Sequence, residues 1–238
     1  MDRILIVIPT YNEKENIAAL IDSLLVLNDS LDILVVDDGS PDGTSGVVKS
    51  HKAFGARLFI IDRQGKSGRG SACIAGFGFA FESGRYGRIV EMDADFSHDP
   101  KELPELLKKS LNNDVVIGSR YLKESRIVGW NLRRRIFSRL ANIYARCVLG
   151  IPISDYTNGY RVYRTSELRR LKFESFRSSG YITLSEISFN LHRNGCSFAE
   201  VPITFVNRRR GASNLSFKEI KEAFLLLPKL RTSSARLP

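Results

Sequence analysis

Two aspartates separated by a single residue have the clearest chemistry in this sequence. Asp93 and Asp95 follow the apolar pair Ile89-Val90, which is typical of the end of a buried strand. In an extended segment residues i and i+2 point to the same side, so the two carboxylates converge on one point. Adjacent negative charges are unfavourable unless a cation neutralises them, and hard divalent cations prefer carboxylate and phosphate oxygens. The pair therefore predicts a metal site that also holds a diphosphate.

The elements that position this pair alternate between strand and helix through the first half of the chain. Such alternation predicts an α/β fold with a mostly parallel sheet flanked by helices, and ligands bind at the carboxyl ends of its strands. Two further polar clusters, Tyr11-Asn12-Glu13 and Asp37-Asp38, also follow strands directly, so we expect all three at one edge. The predicted strands are 4–8, 33–36, 57–61, 88–92 and 114–118, and the predicted helices are 16–27, 44–51, 71–81 and 100–111.

Composition bounds the class of protein. A length of 238 residues with 43% hydrophobic residues suits one large globular domain, or one domain with an extension. No apolar run reaches the roughly 18 residues that span a bilayer. The three cysteines and three histidines are scattered, which disfavours a zinc site, a disulfide framework and Ser-His-Asp chemistry.

Charge is divided unevenly between the two halves. Residues 1–119 hold 13 Lys and Arg against 18 Asp and Glu, whereas residues 120–238 hold 23 against 8. A basic half of this kind suits nucleic acid, anionic lipid or phosphorylated substrates. Two basic amphipathic helices are predicted here, at 132–149 and 217–230, and each can either lie on an anionic membrane or pack one face on the core.

These pieces together resemble the family-2 glycosyltransferases of the GT-A fold, which is Rossmann-like. Within that family they resemble the dolichol-phosphate (polyprenol monophosphate) mannose synthases, over residues 4 to about 216. The matching segments are Ile8 to Glu13, Val35 to Thr44, Met92 to Pro100, Gly118 to Tyr121, Trp130 with Arg134, Asn158 to Arg161, Gly180-Tyr181, Glu200 to Pro202 and Arg208 to Ser213.

The resemblance implies a division of labour along the chain. Residues 1–216 would form the catalytic domain, with a nucleotide-sugar half at 1–119 and an acceptor half at 120–216, and residues 217–238 a basic amphipathic helix and tail. Asp93 and Asp95 would bind Mg²⁺ or Mn²⁺. The acceptor phosphate would meet Ser119, Arg120 and Arg134, and the catalytic residues would be Asp95, Arg120 and Arg134. The nucleotide-sugar residues would be Pro9, Tyr11, Glu13, Val36, Asp38, Lys66, Asp93, Ala94, Asp95 and Arg208.

Three positions depart from the family pattern. Ser97 stands where a Gln is usual two residues after the second aspartate. Arg69 replaces the Leu of a loop that usually reads Lys-x-Gly-Leu-Gly-x-Ala and that begins here at Lys66. Asn214 replaces a Lys at the end of the basic loop that begins at Arg208.

The reaction that the resemblance implies is inverting transfer of a hexose from a nucleotide diphosphate sugar, with GDP-mannose as donor, to a polyprenyl or dolichyl phosphate. A phosphate acceptor is already ionised near pH 7, so no strong general base is needed, and Glu186 is interpreted as structural or supporting. UDP-glucose or another donor, and a sugar hydroxyl acceptor in polysaccharide synthesis, are the alternatives. A nucleic-acid binder would explain the arginines but not Asp93 and Asp95, so we expect no nucleic acid.

The same resemblance implies a location. We expect a cytoplasmic protein that associates peripherally with the cytosolic face of an anionic membrane. A separate membrane-anchoring subunit stays open as a partner.

Overall fold

The strands and helices of the first half lie where their patterns predict them. A computed structural model describes residues 3–176, 180, 182–207 and 225–231. The elements in chain order are β1 (Arg3–Thr10), α1 (Lys14–Leu25), β2 (Leu31–Asp37), α2 (Thr44–Lys49), β3 (Leu58–Asp62), α3 (Arg69–Ser83), β4 (Tyr86–Glu91), α4 (Leu103–Ser110), β5 (Val115–Ser119), β6 (Arg126–Val128), α5 (Leu132–Leu149), β7 (Arg161–Arg164), α6 (Thr165–Arg169), α7 (Ile182–Arg193), β8 (Phe198–Pro202) and β9 (Thr204–Val206).

Seven of these strands form one sheet, in the order β3-β2-β1-β4-β7-β5-β8. Every neighbouring pair is parallel except the two pairs that β7 makes with β4 and β5. Strands β6 and β9 pair separately, in parallel. The prediction of an α/β fold with a mostly parallel, helix-flanked sheet is therefore confirmed.

Helices cover both faces of the sheet, which explains why its strands are apolar on both sides. Along β1, Leu5 and Val7 face a core that includes Phe77 of α3, whereas Ile6 and Ile8 face a second core that includes Leu20 of α1. All seven residues of β2 are buried. Rigid strands buried in this way hold their carboxyl ends in fixed positions.

The second half contains elements that the sequence patterns did not predict. These are β7, which runs antiparallel between β4 and β5, together with α6, α7, β8 and the small β6–β9 sheet. The helix predicted at 132–149 is confirmed as α5, and the Asn131 side chain accepts the Arg134 N–H at its start. Of the helix predicted at 217–230, residues 225–231 are helical and residues 217–224 lie outside the described part.

No helix among the described residues is long and apolar enough to span a membrane.

Candidate active site

The polar clusters that follow β1, β2 and β4 meet at the carboxyl edge of the sheet. β1 pairs with β2 on one side and with β4 on the other, and all three strands are parallel. The Thr10 hydroxyl donates to the buried Asp37 carboxylate at 2.7 Å, and the Ser40 amide donates to the same carboxylate at 2.8 Å. These bonds join the first two motifs into one edge.

Asp38 fastens the glycine-containing loop to this edge. Its Oδ1 accepts from the Arg63 guanidinium at 2.7 Å, and its Oδ2 accepts from the amides of Ser67 and Gly68 at 3.0 and 2.8 Å. Gly68 has φ of +91°, which a residue with a side chain rarely adopts, so glycine is required for this approach. The carboxylate thus holds the loop in place, and its contact with a nucleotide stays a prediction.

Tyr11 and Lys66 come together although 55 positions separate them in the chain. The Lys66 ammonium lies 4.2 Å from the centre of the Tyr11 ring, and both side chains are exposed. Glu13 lies next to them in sequence at the start of α1, where its carboxylate accepts from Asn16 at 2.8 Å. An exposed aromatic ring beside a cation is suited to a base or a phosphate.

Asp93 and Asp95 lie directly after β4, with orientations that a tight turn controls. The Asp95 carboxylate accepts from the Ser97 amide at 3.0 Å, and Phe96 between them has φ of +57°. The Asp93 amide donates to His98 Nδ1 at 3.1 Å, so His98 carries its proton on Nε2, 2.8 Å from Asn158 Oδ1. Burial is the largest influence on the pKa of His98 and lowers it.

The chemistry of this donor set fits a hard divalent cation. Asp93 and Asp95 supply carboxylate oxygens, and Mg²⁺ or Mn²⁺ typically binds one or two such groups together with substrate phosphates and water. No group of three or more His, Cys, Asp or Glu that could hold a metal occurs within the described residues. The Ser97 hydroxyl is buried and has no hydrogen-bond partner there. The part of the chain that the structure describes thus offers two neighbouring carboxylates for such an ion.

One participant in this cluster had no role in the sequence analysis. Arg69, at the start of α3, donates to Asp93 Oδ1 at 2.8 Å and to Glu91 Oε1 at 2.5 Å. The sequence marked Arg69 only as a replacement for the usual Leu of this loop, and that replacement did not indicate a contact with Asp93. The partner Glu91 could be found only from the register of β4.

The acceptor residues predicted after β5 lie on the other side of the same edge. Arg120 is buried and donates to both oxygens of Asp155, at 2.7 and 2.8 Å. Its guanidinium lies 5.4 Å from the Trp130 ring centre, and that of Arg134 lies 4.1 Å from the same centre. Trp130 thus brings the two predicted arginines together, but the fork of Arg120 is already engaged. Ser119, the third predicted acceptor residue, is fully buried.

The buried ion pair controls the charge of Asp155. Burial by itself would raise the pKa of this carboxyl, but Arg120 and its hydrogen bonds hold the pKa below its ordinary value. The Asp155 side chain also accepts from the Arg120 and Asn158 amides at 3.0 Å each. The Arg120 side chain is therefore held in a fixed position by Asp155.

A cavity of about 400 Å³ opens beside this ion pair. Arginines and apolar side chains line it together, a combination suited to an amphiphile with an anionic head. Arg135 and Arg139 line it with Arg120, whereas Arg134 does not. Its other lining residues are Tyr121, Leu122, Ser125, Ile127, Leu132 and Ile136.

The large apolar side chains at 132–143 of α5 do not pack on the core as the simpler interpretation of this helix expects. Leu132 is 71% exposed, Leu140 58%, and Ile136 and Ile143 51% each. The buried face of the helix consists instead of Asn142, Ala145 and Leu149. An apolar stripe flanked by arginines therefore faces outwards over 132–143.

The remaining predicted site residues are distributed as follows. Pro9 and Val36 lie at the ends of β1 and β2, where they pair in register. Ala94 is buried between the two aspartates. Arg208 and the rest of the basic loop at 208–216 lie outside the described residues, as do Tyr181 and residues 232–238.

Comparison with known proteins identifies relatives over nearly the whole chain. The profile described as Glycosyl transferase family 2 matches residues 5–171. A polyprenol monophosphomannose synthase from Mycolicibacterium smegmatis is 41% identical over 224 residues, covering 93% of this chain and 84% of that protein. An undecaprenyl-phosphate mannosyltransferase from Micrococcus luteus is 40% identical over 221 residues, covering 93% and 90%.

Solved structures share the fold at lower identity. Glucosyl-3-phosphoglycerate synthase from Mycobacterium tuberculosis, in complex with Mn²⁺, UDP and glucosyl-3-phosphoglycerate, matches with a TM-score of 0.65 and 19% identity. The match covers 100% of this chain and 81% of that one. A divalent metal and a nucleotide are therefore bound together in a protein of the same fold.

Proposed function

Because the chain belongs to glycosyl transferase family 2, we propose that it transfers mannose from GDP-mannose to a polyprenyl phosphate, with inversion at the anomeric carbon. The observation that carries this proposal is the mixed cavity beside Arg120. Three arginines and several apolar side chains line it, and Arg120 among them directly follows β5 of the central sheet. An anionic head on an apolar chain matches this lining, and the relatives named above are enzymes of polyprenol and undecaprenyl phosphate.

On the donor side, this chain's residues would bind and orient the nucleotide sugar. Tyr11, Glu13 and Lys66 would contact the nucleotide, with Pro9, Val36 and Asp38 forming the edge behind it. Asp93 and Asp95 would hold Mg²⁺ or Mn²⁺, which supplies charge neutralisation for the leaving diphosphate. Arg208 would add a further positive charge there.

On the acceptor side, arginines would place the phosphate in line with the anomeric carbon. Arg120 would provide one contact from its buried pair with Asp155, and Arg134 a second contact from beside Trp130, with Ser119 behind them. The acceptor phosphate is already ionised near neutral pH, so no residue has to remove a proton before attack. Glu186 is buried on α7, and this proposal gives it a structural or supporting role rather than that of a general base.

We also propose that α5 contacts the membrane that contains the acceptor. Its exposed apolar stripe would enter the interface, and Arg133, Arg139 and Arg146 would meet anionic head groups at its flanks. The cavity opens beside Leu132 and Ile136 of the same stripe, so a lipid could pass from the interface to Arg120 without crossing water. This arrangement corresponds to peripheral association at the cytosolic face.

A donor panel tests the proposal. The purified protein is incubated with polyprenyl phosphate, Mg²⁺ or Mn²⁺, and GDP-mannose, UDP-glucose or other nucleotide sugars in turn, and the lipid product and released nucleotide are measured. We expect a mannosyl lipid phosphate and GDP, and no product with the unphosphorylated polyprenol as control acceptor. Absence of a lipid-phosphate sugar with every donor would contradict the proposal, and preference for UDP-glucose would correct the donor.

A further inference from the structure

Arg69 is a cation built into the two-aspartate cluster. Its Nε donates to Asp93 Oδ1 at 2.8 Å, and its Nη1 donates to Glu91 Oε1 at 2.5 Å. Glu91 and Asp93 are two residues apart at the end of β4, so they face the same side and take the guanidinium between them. The Arg69 side chain is only 12% exposed, which strengthens both ion pairs.

The surrounding residues leave room for Arg69 in this position. A Cβ on Gly159 would lie 1.9 Å from Arg69 Nη2, so only glycine at 159 admits the guanidinium. Glu91 is almost fully buried, and its other oxygen accepts from the Tyr163 hydroxyl at 3.1 Å. Asp38, through the Gly68 amide, fixes the loop from which α3 begins. The guanidinium therefore has a fixed position, with hydrogen bonds to Asp93, Glu91 and the Gly159 carbonyl oxygen.

The Arg69 guanidinium pairs with the Asp93 carboxylate, which is also a proposed metal ligand. A divalent ion next to Asp93 would share that carboxylate with a positive charge already bound to it, and like charges a few ångströms apart repel. Glu91 offsets part of this charge, because it accepts a hydrogen bond from the same guanidinium.

We propose that Arg69 is an internal counter-ion of Asp93 that weakens divalent-metal binding to the protein without nucleotide. The inference rests on the proposed metal role of Asp93 and Asp95. In this arrangement Asp95 is the dominant protein ligand, and stable metal binding requires the phosphate oxygens of the donor. Arg69 is thus a positioning residue, which sets the order in which metal and nucleotide bind.

Mn²⁺ binding to the full-length protein without nucleotide, measured by electron paramagnetic resonance, tests this idea. Arg69→Met would leave Glu91 buried and unpaired, so the test variant is the double change Arg69→Met with Glu91→Gln. We expect it to bind Mn²⁺ about threefold or more tightly than the wild type. Glu91→Gln alone leaves Arg69 less neutralised, and we expect about threefold weaker binding.

Opposite changes in Mn²⁺ affinity in these two variants distinguish two roles of Arg69: repulsion of the metal by its charge, and simple orientation of Asp93. If Arg69 only oriented Asp93, the double variant would bind Mn²⁺ more weakly, and that result would overturn the inference. An unchanged affinity would overturn it as well. Arg63→Met removes a comparable cation that pairs with Asp38, and we expect it to change Mn²⁺ affinity less than the double variant does. Circular dichroism and thermal unfolding check that every variant is folded.

Asp95→Asn distinguishes failure of this inference from failure of the proposed metal site. Loss of Mn²⁺ binding in Asp95→Asn, together with weaker binding in the double variant, would overturn the Arg69 role alone. If Asp95→Asn binds Mn²⁺ as the wild type does, the proposed metal site and the role of Arg69 both fail.

Discussion

The edge of the sheet at β1, β2 and β4 and the outward face of α5 are built in opposite ways. At the edge, polar side chains are partly or fully buried and bonded to one another, as Thr10, Asp37 and Asp38 illustrate. On α5, large apolar side chains such as Leu132 and Leu140 are exposed between arginines. The edge presents ordered polar groups, and α5 presents an apolar surface flanked by arginines.

This difference indicates that the two regions need different degrees of preorganisation for the ligands proposed above. A nucleotide diphosphate is small and polar, so preformed hydrogen bonds at the edge favour it directly. A lipid offers mostly apolar area, for which complementary surface and charge suffice. Arg120, which pairs with the buried Asp155, lines the cavity together with residues of α5.

The largest effect is expected at the edge itself. Asp95→Asn should lower turnover by about 1,000-fold, because it removes a carboxylate that would bind the metal. Product formation at saturating donor and acceptor measures it. Asp99→Asn, on the exposed side of the following turn, is the matched control. If Asp95→Asn kept its activity as Asp99→Asn is expected to, the proposed role of the sheet edge in catalysis would be wrong.

The next effect concerns stability at the junction between the regions. Asp155→Asn should lower the free energy of unfolding by about 3 kcal/mol, because it leaves Arg120 buried without its counter-charge. Urea unfolding measures this change. The more exposed pair of Arg164 with Asp114 provides the control, and Asp114→Asn should have a smaller effect.

The pair of Arg120 and Asp155 should also make the free energy of unfolding depend on pH under acid conditions. Because the folded-state pKa of Asp155 lies below its ordinary value, its contribution is present above that ordinary value, about 3.9, and is lost as pH falls through the folded pKa. The wild type should therefore lose more unfolding free energy between pH 5 and acid conditions than Asp155→Asn does. Parallel pH dependence in the two proteins would show that the pair is not ionised in the native state.

A smaller effect is expected for the second arginine of the proposed acceptor region. Arg134→Ala should lower kcat/KM for polyprenyl phosphate by about 30-fold while donor affinity changes little, because its guanidinium lies on the same Trp130 ring as that of Arg120. Steady-state kinetics with each substrate varied measure the two effects. Arg133→Ala is the neighbouring control, and equal losses for donor and acceptor would indicate a structural role.

The smallest effect is expected on α5, where single side chains share the contact. Replacing Ile136 and Leu140 by Ser should weaken binding to anionic vesicles by about tenfold, with unfolding free energy nearly unchanged, since both side chains are exposed. Co-sedimentation at low and high salt measures binding. As the control, Val26→Ser with Leu111→Ser removes two apolar side chains elsewhere that are even more exposed. Equal loss in both pairs would mean that α5 has no special role.

The first half could be predicted closely because its residues report on local periodicity. Buried parallel strands require continuous apolar runs, and the intervening helices show one apolar side, so 4–8 and 33–36 indicate β1 and β2 within a few residues. The second half could not be predicted in this way. β7 is four residues long and finds its place between β4 and β5 only through pairing with residues far away in sequence.

The same division applies to the site. Asp93, Asp95, Tyr11 and Lys66 could be chosen from motif and spacing, and the structure brings them to one edge. The bond of Asp38 to the loop, and that of Arg120 to Asp155, could not be inferred because neither partner shares a local pattern with the other. Both arginine and aspartate are ordinary surface residues until the fold buries them together.

By itself, the sequence determined the order of strands and helices, the acidic residues at the strand ends and the basic, amphipathic character of 132–149. These properties depend on residue type and near-neighbour spacing, which the chain carries whether folded or not. Only the tertiary structure decided that Arg69 lies against Asp93, that Arg120 is neutralised by Asp155 and that the apolar stripe of α5 faces outwards. Those outcomes depend on which distant surfaces compete for burial, and that competition is resolved only when the whole chain packs.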